Sequence, residues 1–95
     1  MELLLDGGGV GESMIVRGPR RGDRFAPAGM GGKTKTVADF LSDEKVARHR
    51  RAFTPVLTTD GGEIVWIVGL RAAEVARVTP ATARVVRVRA WRLRA

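Results

Sequence analysis

The stretch "GMGGKTKT", Gly29 to Thr36, joins three glycines to two lysines and raises the question of a phosphate-binding loop. Glycines let backbone N–H groups approach an anion closely, and a lysine supplies charge. A nucleotide P-loop also needs a glycine five positions ahead of the glycine in Gly-Lys-Ser/Thr, directly after a buried parallel strand. Gly32-Lys33-Thr34 supplies the end of that pattern, but Pro27 stands where the first glycine is required. The preceding "RGDRFAPA" is polar and has no β-branched run. Spacing and context therefore both exclude an ATP loop, and the site is expected to hold no cofactor.

What surrounds the loop is a basic constellation. Arg17, Arg20, Arg21 and Arg24 precede it, Lys33 and Lys35 lie within or just after it, and Arg48, Arg50 and Arg51 follow. Together with the helix start at Thr36, these could grip a sugar–phosphate backbone. The competing reading is a solvated loop whose arginines pair with Asp23, Asp39 and Asp43. The candidate contacts are Arg20, Arg24, Lys33, Lys35, Arg48 and Arg51. Arg87 and Arg89, on one face of the last strand, form a rival surface. No nucleophile–base pair, paired carboxylates or metal-ligand cluster stands out. There is no cysteine, and the single histidine, His49, cannot make a zinc site. "RGD" at Arg21 to Asp23 is a short match with nothing else to support an adhesive role.

The charge balance agrees with an anionic partner. Lysine and arginine number 17 against 10 acidic residues, a net charge of +7, and arginine makes up fourteen of the basic set. Such an excess in 95 residues points to nucleic acid first and an anionic membrane surface second. No apolar run reaches the ~18 residues of a membrane span, and "LLL" at Leu3 to Leu5 is too short for a signal peptide. A soluble, cytoplasmic chain without a membrane partner is expected.

The elements that must position these residues can be read in outline. "DGGGVGE" reads as a flexible loop, so residues 1–12 are expected to be a loosely attached segment or a remnant of upstream sequence, and residues 13–95 a single domain. "SMIVRG" reads as a strand. Thr36 suits a helix N-cap, with Asp39 at the third position and Val37, Phe40 and Leu41 on one apolar face. Ser42 or Asp43 is expected to cap a second short helix through "EKVARHRRAF", with Val46 and Phe53 inward. Asp60-Gly61-Gly62 marks a hairpin. "EIVWIV" reads as a central strand buried on both faces. "RAAEVARV" is either a short helix or an irregular crossing. In "ARVVRVRAWRLRA" Val86 and Val88 face one way and Arg87 and Arg89 the other. The alternation slips near Ala90, so a bulge or strand end is expected there, with Trp91 and Leu93 taking up the arginines' phase. The sum is an α+β domain with a small mixed, largely antiparallel sheet and two short helices.

With these residues in view, "RRGDRFAPAGMGGKTKTVADFLSDEKVARHRR", "PVL", "GEIVWIVGLR" and "RVTPATARVVRVR" resemble the C-terminal domain of bacterial tRNA(Ile)-lysidine synthase, from about Ile15 to Val88. The resemblance departs at Val37-Ala38, where the family commonly has Leu-Lys, and at Ala47, where proline is common and whose loss should let the second helix begin more smoothly. It implies an α+β fold distantly related to a domain of the phenylalanyl-tRNA synthetase β chain. It also implies a non-catalytic module that binds isoleucine tRNA and accompanies a catalytic domain elsewhere in a longer enzyme. ATP and magnesium, used to attach lysine to the wobble cytidine, would belong to that catalytic domain. A structural docking module, or a free-standing basic RNA-binding protein, is the alternative.

Overall fold

The computed structural model describes residues 1–91. At its centre is a four-stranded antiparallel sheet built from β2 (Met14–Arg17), β5 (Val56–Thr59), β6 (Ile64–Ile67) and β7 (Arg71–Ala72), in the order β2-β5-β6-β7. The β5–β6 hairpin turns at Asp60-Gly61-Gly62 as the sequence predicts. Thr59 N donates to Glu63 O at 2.8 Å, and Gly62, at φ 94°, occupies a conformation that suits glycine. The register between β5 and β6 shifts at Leu57/Thr58, where Thr58 pairs with Ile64 and Leu57 with Trp66. Val65 is the extra residue. All four residues of β6 are buried, which matches the two-sided burial expected from its continuous apolar run.

Each face of this sheet carries its own core. On one side Val56, Ile64 and Ile67 pack with Phe25, Val37, Phe40, Leu41 and Ala73. The Phe25 and Phe40 rings meet edge to face with centroids 5.2 Å apart. Val37, Phe40 and Leu41 come from α2 (Val37–Asp43), capped by Thr36, whose hydroxyl accepts from Asp39 N. The apolar face, cap and first-turn acid all follow the sequence reading. On the other side Leu57, Val65 and Trp66 pack with Leu5, Val10 and Ala76. The bulge explains why Val65 and Trp66, adjacent in the chain, share this side.

The N-terminal segment differs from expectation. Residues 2–10 are integral to the second core. β1 (Glu2–Asp6) pairs antiparallel with β8 (Val85–Arg89), and Leu5 and Val10 are fully buried. The glycines read as flexible punctuation form the helical turn α1 (Gly7–Val10), capped by the Asp6 carboxylate. Their role is close approach. A Cβ on Gly9 would stand 2.0 Å from the Val75 carbonyl oxygen, inside the 3-10 turn Glu74–Ala76.

The second helix also differs. Lys45 turns the chain with φ 59°, and α3 (Arg48–Arg51) begins only after Ala47 and has no side-chain cap. Ser42 and Asp43 lie instead inside α2. Ala47 has φ −60° and ψ 144°, a backbone proline adopts readily. Losing the ring therefore does not lengthen the helix. Because α3 stops at Arg51, Phe53 is carried outward and is 77% exposed, while Val46 packs against the first core as expected. β8 ends at Arg89, which resolves the slip at Ala90, and Trp91 is exposed. The reading of Leu93 lies outside the described residues. All strand pairings among the described residues are antiparallel.

Candidate nucleic-acid interface

The glycine loop is held at its base by a two-stranded ribbon, β3 (Arg24–Phe25) with β4 (Lys35–Thr36). Phe25 and Pro27 are buried, and Pro27 bridges to Ala73, so one side of the loop is anchored. The tip reverses through Gly29, Gly31 and Gly32, with φ of 87°, 64° and 85°. Lys33 N closes the turn onto Met30 O at 3.2 Å. Gly-Lys-Thr here leads into a strand. The first amides of α2 are already used, Val37 N by Asp23 O at 2.8 Å and Asp39 N by the Thr36 hydroxyl at 3.0 Å.

Ahead of the ribbon, Asp23 organises the chain. Arg17 forks onto its carboxylate, Nη1 donating to Oδ2 at 2.8 Å and Nη2 to Oδ1 at 2.9 Å. Arg20 N donates to Oδ2 at 2.7 Å, and Asp23 N to Arg20 O at 3.1 Å. This fastens a tight turn whose tip presents Arg20 and Arg21 to solvent. The Arg17 hydrogen bonds hold the Asp23 carboxyl below its usual range. Partial burial opposes this, and the Arg20 amide and the nearby positive charge reinforce it. The carboxylate in turn raises the Arg17 guanidinium.

The sequence-predicted contacts separate into two groups. Arg20, Lys33 and Arg48 are exposed and form no ion pair among the described residues; Arg24 is exposed and touches only Thr34, Nη2 to Oγ1 at 3.2 Å across the ribbon. Lys35 and Arg51 have internal partners. Lys35 pairs with Asp43 and stands 6.0 Å over the Phe40 ring. Arg51 donates through Nε to Val46 O at 3.1 Å and through Nη2 to Ser42 Oγ at 3.0 Å. Since Ser42 and Asp43 are neighbours, both side chains fasten to the C-terminal end of α2. They connect β4 and α3 through that helix.

Two exposed cations join the surface by position: Arg21 beside Arg20, and Arg50 beside Arg48 on α3. The rival pair on β8 is more strongly countered. Arg87 Nε and Arg89 Nε lie 3.6 and 2.9 Å from the Glu2 carboxylate across the β1–β8 ribbon. Sequence reasoning missed Glu2 because it placed the first residues outside the fold. The alternation of β8 was the available signal that a partner strand was needed. Among the described residues there is no group of three or more histidine, cysteine, aspartate or glutamate side chains able to hold a metal.

The fold is a small α+β module that carries several exposed cations without an ion-pair partner among the described residues. A family profile described as the TilS substrate C-terminal domain matches residues 14–91, and the chain belongs to this family. It is 41% identical over 73 residues to a tRNA(Ile)-lysidine synthase of Caldanaerobacter subterraneus subsp. tengcongensis, covering 77% of this chain and 15% of that protein. With the enzyme of the same name from Dehalococcoides mccartyi it is 42% identical over 84 residues, 88% of this chain and 17% of the relative. A crystal structure titled as a TILS C-terminal domain superposes with a TM-score of 0.76 at 29% identity, covering 90% of this chain and 65% of that one. The α+β reading agrees with that structure. The chain spans 15–17% of the length of these two enzymes.

Proposed function

We propose that this chain is a non-catalytic tRNA-binding module of a tRNA(Ile)-lysidine synthase. In this reading it grips the backbone of isoleucine tRNA beside the enzyme's catalytic domain, where ATP and magnesium act. The observation that carries the proposal is the exposed set Arg20, Arg24, Lys33 and Arg48, which has no carboxylate partner among the described residues, on a domain of this family. An internally neutralised surface would have given Arg24, Lys33 and Arg48 ion-pair partners, as it does Arg17 and Lys35. Lys35 and Arg51 act in support, holding the ribbon and α3 onto α2.

Side chains cannot read the deep, narrow major groove of A-form RNA, so shape and phosphate contacts carry the binding. The test is affinity for isoleucine tRNA as a function of salt, with a DNA duplex as control. About four phosphate contacts give a log–log slope of about −3 to −4. A chain that binds tRNA no better than DNA, or with a slope near zero, refutes the reading.

A further inference from the structure

A groove lies away from the glycine ribbon, between α3 and the C-terminal end of β8. Its volume is about 1150 Å³. Its floor includes Trp66 and Leu57 of the second core, and its walls include Val16, Phe53, Leu70 and Trp91. Those four are exposed by 66%, 77%, 40% and 74%. Two aromatic rings left so open are costly to hydrate and contribute little to the core. Among the described residues, the charged side chains lining the groove are Lys45, Arg50 and Arg89, with no carboxylate. Arg89 is shared with Glu2 on β1, whereas Lys45 and Arg50 have no ion-pair partner among the described residues.

We propose that this groove takes an unpaired stretch of RNA, with bases against Phe53 and Trp91 and phosphates on Lys45 and Arg50. The inference rests on the tRNA-binding reading and deepens it, by assigning a single-stranded site separate from the backbone-gripping ribbon. The chemistry matches one occupant well. Flat aromatic faces accept any base by stacking, and cations of one sign along the rim follow a phosphate chain. Arg50 stands on the same short helix α3 as Arg48. An acidic apolar peptide would also satisfy the charge, but the two open aromatic faces favour stacked bases.

The test uses the 95-residue chain and two probes, a single-stranded RNA of about ten nucleotides and a blunt RNA duplex. Trp91 and the buried Trp66 are the only tryptophans, so quenching from an exposed site reports Trp91. The single strand is expected to quench fluorescence in the wild-type chain and not in Trp91→Ala. Phe53→Ala and Trp91→Ala are each expected to weaken single-strand binding about 5- to 100-fold, with duplex affinity and melting temperature nearly unchanged because both residues are exposed. If both variants bind the single strand as tightly as wild type, the groove assignment is wrong while the tRNA-binding function stands. If no RNA binds the chain at all, the function fails and the groove site with it. If the chain self-associates, Phe53→Ala dissolves the association and single-strand binding is unmoved, the groove is a protein interface and the RNA assignment is overturned.

Discussion

Replacing Asp23 by Asn keeps the size and shape of the side chain and removes its charge. Arg17 and Asp23 are 16% and 11% exposed in their side chains, so the guanidinium cannot recover full hydration when its partner is neutralised. Two charge-assisted bonds to Arg17 and the bond from Arg20 N are weakened together. Charge-assisted bonds contribute roughly 1.5–3 kcal/mol each, and the amide retains part of the geometry, so a loss of about 2–3 kcal/mol is expected. A domain of this size has about 5–14 kcal/mol in total, and melting should fall by about 10–20 °C. The pH dependence gives an independent check. A carboxylate whose folded pKa lies below its unfolded value contributes stability that is fully present above the unfolded value of about 3.9. That stability is lost as pH falls through the lower folded value. Wild type should therefore lose stability on acidification through this window, and Asp23→Asn should show a shallower acid limb. Urea titrations from neutral pH to about pH 2 measure both effects. If Asp23→Asn unfolds within about 0.5 kcal/mol of wild type and keeps the same acid limb, the Arg17–Asp23 fork does not organise the turn that presents Arg20 and Arg21.

Lys33→Ala should reduce the salt slope for tRNA by roughly one unit at unchanged stability. Lys35→Ala, losing a partly exposed ion pair, should cost about 1 kcal/mol or less of stability and move the slope less. If the pair Lys33→Ala and Lys35→Ala has no effect on binding while Arg87→Ala with Arg89→Ala abolishes it, the β8 surface is the interface. Phe40→Ala should cost about 3–5 kcal/mol through loss of the Phe25 edge-to-face contact and the α2 anchor. Gly9→Ala should destabilise by about 1–3 kcal/mol, since the Val75 carbonyl must move; an unchanged melting curve would mean residues 1–10 are peripheral after all. Calorimetry with Mg-ATP should show no tight binding, and micromolar affinity would reinstate a nucleotide site.

Local chemistry was legible where one residue type has one dominant use. Thr36 as a cap, Asp60-Gly61-Gly62 as a hairpin turn and the apolar run of β6 each hold in the structure. The failures share a physical cause. Glycine signals either freedom or close approach, and only the neighbour decides. Gly9 is packed against Val75, far along the chain, so local composition could not tell a hinge from a contact. The same holds for the basic residues. Their number indicated an anionic partner, but Arg17, Lys35 and Arg51 are drawn inward by Asp23, Asp43 and Ser42, and spacing alone does not rank one cation above another.

That sorting changes what the basic cluster means. If all ten cations from Arg17 to Arg51 had been solvent-facing, the surface would be a diffuse positive field suited to any polyanion. Instead the fold assigns some of them to brace the ribbon, the turn and α3, which fixes where the remaining ones project. In the proposed tRNA-binding reading, the bracing residues set geometry and the free ones supply counter-charge. Loss of a brace should therefore blur discrimination between tRNA and DNA duplex before it lowers the salt slope, whereas loss of a free cation should lower the slope for both. Comparing Arg51→Met with Arg48→Met on both substrates separates the two roles. If Arg51→Met instead lowers the slope by a full unit with discrimination intact, its bonds to Val46 and Ser42 give way on binding and it is a phosphate contact like the rest.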